Sequence, residues 1–231
     1  YGLEMLQIIM FDNRSYFQNI TVWENFSDNN VSTLDSAGLI NNVTSIKNLQ
    51  QRSLSFRLHI DKKDDPLFPK KGYLLDLYLK STGYLLGGER DYFKLDFATN
   101  NYFMISKNSV LAFRFKIGRL WSWEDSYNDY SYEKFYLGGS ANMRGWEILK
   151  YSTVNNLGII PIGGTHRFLG NIEFRNQINQ NLGITLFFDG GILGENFNEL
   201  QNSRLGWDIG IGLTISTPLG PVRIDYAVPY I

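Results

Sequence analysis

In segment after segment between residues 53 and 228, the chain alternates apolar and polar side chains one by one. Leu54, Phe56, Leu58 and Ile60 interleave with Ser53, Ser55, Arg57 and His59, and Leu75, Leu77 and Leu79 with Asp76, Tyr78 and Lys80. The pattern returns as Phe93, Leu95 and Phe97 against Lys94, Asp96 and Ala98, and as Leu111, Phe113, Phe115 and Ile117 against Ala112, Arg114, Lys116 and Gly118. Further on, Ile172 and Phe174 oppose Asn171, Glu173 and Arg175, and Ile184, Leu186 and Phe188 oppose Thr185, Phe187 and Asp189. The last two segments set Trp207, Ile209, Ile211, Leu213 and Ile215 against Asp208, Gly210, Gly212, Thr214 and Ser216, then Val222, Ile224, Tyr226 and Val228 against Arg223, Asp225 and Ala227. Successive side chains of a β-strand point to opposite faces, so each segment has one oily face and one polar face. No run approaches the ~20 consecutive apolar residues of a membrane helix. The expected fold class is all-β and antiparallel.

Two environments suit such strands. A soluble sandwich also alternates, but its polar face meets bulk water and has little need of the 22 glycines present here. Four or five successive apolar positions, at ~6.7 Å per pair of residues, cover ~25 Å, the height of a bilayer's apolar band. The mean hydropathy of −0.22 is no objection, because alternation averages to a polar value.

Connection lengths carry an independent signal. Strands are expected near 48–60, 72–83, 90–104, 107–122, 164–176, 181–193, 204–217 and 220–230. The connections at 105–107, 177–180 and 218–219 are tight, 194–203 is intermediate and 123–163 is very long. Transmembrane barrels place short turns on the periplasmic side and long loops outside. That alternation puts 26–47, 84–89 and 123–163 outside and 61–72 in the periplasm. Within 1–47 the pattern is weaker, with two poorer strands near 3–11 and 15–25 and a polar loop at 26–47. That loop's three Asn-x-Ser/Thr triplets read as the composition of an Asn-rich stretch. The whole of 1–231 is expected to be one barrel portion of about ten strands, strongly patterned from 48 onward, with no helix of useful length.

Residues that carry chemistry are scarce. The 22 basic and 23 acidic residues nearly cancel, which gives no electrostatic reason for a nucleic-acid partner. Cysteine is absent, and His59 and His166 lie far apart without ligand-spaced companions, so no metal site is expected. Asp64 and Asp65 sit in a turn, where carboxylates favour turn geometry. No nucleotide-binding glycine pattern and no G-x-S-x-G elbow is present. No enzyme activity and no cofactor follow from these residues.

The long loop differs from this background. It carries F-Y-L-G-G-S-A-N-M-R-G-W at 135–146, a glycine pair followed by an arginine-glycine-aromatic tip. With F-F-D-G-G at 187–191, S-T-P-L-G-P-V-R-I-D-Y-A-V-P at 216–229 and the turn D-D-P-L-F-P-K-K-G at 64–72, it gives the chain a family likeness. The chain resembles the outer-membrane assembly barrels typified by BamA, the bacterial surface-antigen superfamily that also includes TamA and the two-partner secretion transporters. The likeness is firm from about 48 to 230 and weak before that.

The resemblance implies that loop 123–163 folds back into the lumen and that its arginine pairs with acids of the inner wall. The alternation alone already places Glu173, Phe187 and Asp189 on the polar, inward face. Arg144 is therefore expected to pair with Asp189 and Glu173, since a buried arginine without a partner is strongly disfavoured. A guanidinium fork can meet a carboxylate bidentately and lysine cannot. Gly145 lets the backbone turn beside the wall, Trp146 is expected against Phe187 or its neighbours, and Gly138 and Gly139 open the tip. The alternative is an exposed loop arginine. The inward glycines, taken as Gly190, Gly191, Gly210 and Gly212, either let another segment approach or serve barrel curvature.

The likeness has gaps. Family barrels of the assembly type have sixteen strands and end with one strand more, and upstream POTRA domains are missing here. Open edges are not viable in lipid, so the chain is expected to be part of a longer one. By resemblance the function is insertion of unfolded outer-membrane proteins, as clients, into the outer-membrane bilayer, aided by accessory subunits. Its mechanism would be β-augmentation at an exposed seam. The rival readings are a two-partner polypeptide secretion pore and the barrel anchor of a patatin-like lipase.

Overall fold

The alternating segments form strands, and they pair strictly with their neighbours in chain order. The structure, a computed structural model, describes residues 1–26, 33–34, 40–41, 49–88, 90–123, 132–149, 151, 163–202, 205–218 and 220–230. The strands are β1 Gly2–Met10, β2 Tyr16–Phe26, β3 Thr33–Leu34, β4 Ile40–Asn41, β5 Leu49–Asp61, β6 Gly72–Thr82, β7 Tyr92–Met104, β8 Ser109–Ser122, β9 His166–Gln177, β10 Leu182–Gly194, β11 Gly206–Thr217 and β12 Gly220–Tyr230. Among the described residues, ten of them form one antiparallel sheet in the order β1-β2-β5-β6-β7-β8-β9-β10-β11-β12, while β3 and β4 pair only with each other. That short hairpin lies within the stretch read from sequence as a polar loop. Connections alternate between short turns and long excursions, as the spacing implies.

Strand length suits a membrane. The 14 residues of β8, at ~3.3 Å each, reach about 45 Å along the strand and about 35 Å along the normal at the usual ~40° tilt.

Burial runs inside out. Leu186 is 54% exposed, Ile211 49% and Ile224 64%, whereas Asp189 and Asp208 are fully buried and Asn171, Thr185 and Phe187 nearly so. In a water-soluble sandwich the oily faces turn inward. Here they form the outer surface and the polar faces form the interior, which only an apolar solvent outside makes stable.

Buried leucines at three inner-face positions break the alternation: Leu120, Leu169 and Leu193. With Tyr92 of β7 they pack on Phe135, Leu137, Met143 and Tyr151 of the long connection between β8 and β9, and Trp146 lies against the cluster. The sheet therefore holds an apolar core on its inner side, half of it supplied by the loop.

A helix α1, Phe197–Asn202, lies in the connection between β10 and β11, where the sequence pattern gives no expectation of one. Its start is a capping arrangement. Asn196 Oδ1 accepts from the Glu199 amide at 2.8 Å, and Glu199 Oε2 accepts from the Glu195 amide at 3.0 Å.

The inside-out arrangement makes an asymmetric prediction. Ile211→Arg, near the middle of the outer face of β11, should lower unfolding stability in liposomes by about 2–4 kcal/mol. Ala98→Glu, on an inner-face cavity lined by Arg57, Arg114, Lys116 and Arg167 and by Asp76 and Asp96, should shift the urea midpoint far less.

Candidate functional site: the arginine cage

The tip of the loop is shaped before it reaches the wall. Gly138 has φ +104°, and a Cβ there would lie 2.2 Å from the Glu147 carbonyl oxygen, so the position demands glycine. The Gly139 amide donates to the carbonyls of Met143 at 3.1 Å and Trp146 at 2.9 Å, and the Trp146 amide donates to Met143 at 3.2 Å. These bonds close 139–146 into a compact turn with Arg144 at its apex.

Wall residues grip this turn from three strands. Arg114 Nη1 of β8 donates to the Ala141 carbonyl at 2.9 Å. Asn171 Nδ2 of β9 donates to the Asn142 carbonyl and to Asp189 Oδ1, each at 2.7 Å. Asp189 of β10 accepts the Arg144 backbone amide at 3.2 Å.

The Arg144 side chain is 6% exposed, and each of its three nitrogens donates to a carboxylate. Its Nε donates to Asp189 Oδ2 at 2.7 Å and its Nη2 to Asp189 Oδ1 at 2.6 Å, a bidentate fork. Nη1 donates to Glu173 Oε1 at 2.6 Å and lies 3.6 Å from Asp225 Oδ2. The guanidinium carbon stands 3.5 Å from the centre of the Phe187 ring, so an aromatic face closes the remaining side. Burial works against the Arg144 charge, but the hydrogen bonds and charge of Asp189, with Glu173, outweigh it and raise the pKa above the ordinary arginine value.

The cage extends beyond the residues singled out from sequence. Arg175 donates to Glu173 Oε2 through Nε at 2.7 Å. Arg223 donates to Asp225 at 2.7 Å and to Glu173 at 3.2 Å. Asp208 stands directly opposite Asp189 in the β10–β11 ladder, fully buried and close against Gly145 of the loop. Two facing acids in a dry site repel one another, and Arg144 pairs with one of them, Asp189, together with Glu173 and Asp225.

The structure places some neighbours differently from the sequence expectation. Trp146 packs edge-on against Tyr151 of its own loop, ring centroids 4.9 Å apart, because the face of Phe187 is taken by Arg144. Gly145 is needed for space: a Cβ there would lie 2.7 Å from Asp208 Cβ and 3.1 Å from the Pro229 backbone nitrogen. Of the glycines read as inward, Gly190 shares the outer face with Phe188, since consecutive strand residues cannot both point in. A Cβ on Gly191 would lie 2.8 Å from Leu137 and Met143 of the loop, whereas Gly210 and Gly212 make room for Phe187 and Asp225 of the wall itself. His59 lies apart from the cage, its Nδ1 2.8 Å from Asp76, and His166 Nδ1 lies 2.9 Å from the Thr165 hydroxyl.

The fork and the burial set two magnitudes. Arg144→Lys keeps the charge but loses the bidentate geometry and should cost about 1.5–3 kcal/mol. Asp189→Ala removes the fork, leaves the buried Nε and Nη2 without their carboxylate, and should cost about 3–5 kcal/mol. Urea midpoints in detergent, with trypsin cleavage after Arg144 as the measure of docking, check both.

Comparison with known proteins agrees with this architecture. Residues 10–230 match the Omp85 superfamily domain. The chain is 26% identical over 197 residues to the outer membrane protein assembly factor BamA of Nitratidesulfovibrio vulgaris, covering 80% of this chain and 24% of that protein. It shares its fold with BamA from Haemophilus ducreyi lacking POTRA domains 1-3, at TM-score 0.74 and 17% identity, over 99% of this chain and 50% of that one. The chain thus spans about a quarter of the curated relative and half of the solved structure. The inside-out sheet is that of an outer-membrane β-barrel, and the chain belongs to the Omp85 superfamily.

Proposed function

We propose that these strands form part of the membrane-embedded barrel of an outer-membrane protein assembly factor, and that Arg144 is the latch holding the 132–149 part of the long loop inside the lumen; the rest of the loop read at 123–163 lies largely outside the described residues. In this reading Gly138 and Gly139 shape the tip, Gly145 and Trp146 seat it, and Glu173, Phe187 and Asp189 form the receiving wall. The observation that carries the latch is the bidentate Arg144–Asp189 pair, fully buried on the acid side. The relative named as an assembly factor supports the wider assignment.

No chemical step and no cofactor enter the reading. Unfolded outer-membrane proteins are the clients, and accessory subunits and the lipid bilayer are the partners. Insertion is downhill because the clients' apolar faces leave water for acyl chains, at roughly 25 cal/mol per Å² buried. The barrel's part is kinetic: it offers strand edges to pair with and a wall that yields. A loop locked across the lumen by a buried ion pair holds that wall in one arrangement.

The test is a folding assay with the full-length protein in liposomes, following an unfolded barrel client into its protease-resistant form. Arg144→Asp should slow insertion at least about tenfold, and adding Asp189→Arg should restore part of the rate. An unchanged rate in the single variant, with the loop still docked, overturns the latch. Client delivered into the vesicle interior instead of its membrane identifies a secretion pore.

A further inference from the structure

A second like-charged pair faces inward on the opposite flank of the loop. Lys80 of β6 and Lys94 of β7 are directly opposed in the β6–β7 ladder, an arrangement that destabilises a sheet when nothing intervenes. Both are largely buried, with side chains 15% exposed. One loop residue relieves the repulsion. Glu133 accepts from Lys80 Nζ at 2.6 Å and from Lys94 Nζ at 3.0 Å, one lysine on each carboxylate oxygen. Lys94 also donates to the Glu133 carbonyl at 2.7 Å, and the fully buried Tyr92 hydroxyl donates to Glu133 Oε1 at 2.8 Å.

The surroundings make this a built site. Phe135, two residues on, bridges by backbone to Gly164 with bonds of 2.9 Å in both directions. Its ring packs on Gly118, where a Cβ would lie 2.6 Å away, between Lys94 at 5.0 Å and Arg167 at 4.7 Å. Lys134 reaches Glu195 at 2.5 Å. Burial pushes the Glu133 carboxyl up, but the hydrogen bond and charge of Lys80, with Lys94, outweigh it and hold the group below the ordinary carboxylate range.

The arrangement mirrors the arginine cage with the signs reversed. At the tip, a cation of the loop pairs with Asp189, which faces Asp208 across the β10–β11 ladder. At the root, an anion of the loop answers the opposed lysines on β6–β7. We propose that Glu133 is a second, independent anchor that fixes the root of the loop, so that release of Arg144 frees the tip to pivot while the root stays docked. Glu133 is thus a positioning residue, and its relevance to insertion rests on the latch reading above.

Hydrogen exchange of the full-length protein in lipid resolves root from tip through peptides covering 132–137 and 139–146. Glu133→Gln should speed exchange at the root about tenfold or more, with strand protection unchanged. Arg144→Ala should speed exchange at the tip and leave the root protected. Lys80→Glu with Lys94→Glu should free the root as well, and adding Glu133→Lys to that pair should restore protection, which a merely space-filling role does not predict. Root protection indifferent to Glu133→Gln, or lost together with the tip in Arg144→Ala, overturns the proposal. The readout is independent of insertion activity, so a failed latch reading and a failed anchor are distinguishable outcomes.

Discussion

The structure depends on satisfying charge in an enclosed interior. In a soluble protein the interior is cohesive because water rejects it. Here the solvent outside is hydrocarbon, so the oily faces are already content where they lie and contribute nothing to holding the inner side together. Beside the apolar cluster, cohesion inside the wall comes from hydrogen-bonded ions, and Arg144 is the clearest case. Its guanidinium meets Asp189 through two bonds, Glu173 through a third and the Phe187 ring across its face. Removing any one of these partners leaves the others poorly solvated, which makes the cage a unit and not a sum of contacts.

That dependence explains why the loop carries apolar side chains as well. Ionic contacts between a tethered loop and a wet wall are weak, and they become strong only when water is excluded. Leu137, Met143 and Tyr151 from the loop, closing on Tyr92, Leu120, Leu169 and Leu193 of the wall, provide that exclusion beside the cage. Gly191 has no side chain where Leu137 and Met143 arrive. The apolar seal and the polar latch are therefore coupled: the first sets the dielectric in which the second acts.

Much of this is legible in the sequence, and the reason is geometric. A strand has one degree of freedom, its register, and the period of two fixes which residues share a face. Alternation alone is enough to bring Glu173, Phe187 and Asp189 to the inner side. It cannot say that Trp146 turns back onto Tyr151, or that Arg114 and Asn171 hold the Ala141 and Asn142 carbonyls. Those contacts depend on the path of a loop, and a loop has no period. Gly190 is a different case, because the alternation rule, applied strictly, sends it outward beside Phe188. The helix Phe197–Asn202 escapes the periodic pattern because it is short, although Asn196 and Glu199 stand at capping spacing in the sequence.

Conflicts within the strand pattern are a further signal that a sequence carries. Where an inner face is polar, a leucine at an inward position or two like charges opposed across a ladder is locally unfavourable. Such a position is tolerable only if a segment absent from the strand pattern relieves it. Leu120, Leu169 and Leu193 break the polar face in this way, and the pairs Asp189–Asp208 and Lys80–Lys94 break the charge pattern. Together they outline the footprint of the loop on the wall: leucines where it lies flat, acids where its arginine enters, lysines where its glutamate does. The conflicts in the wall are the imprint of the segment that resolves them, so the loop's docked position is encoded twice, once in its own residues and once in the errors of the strands around it.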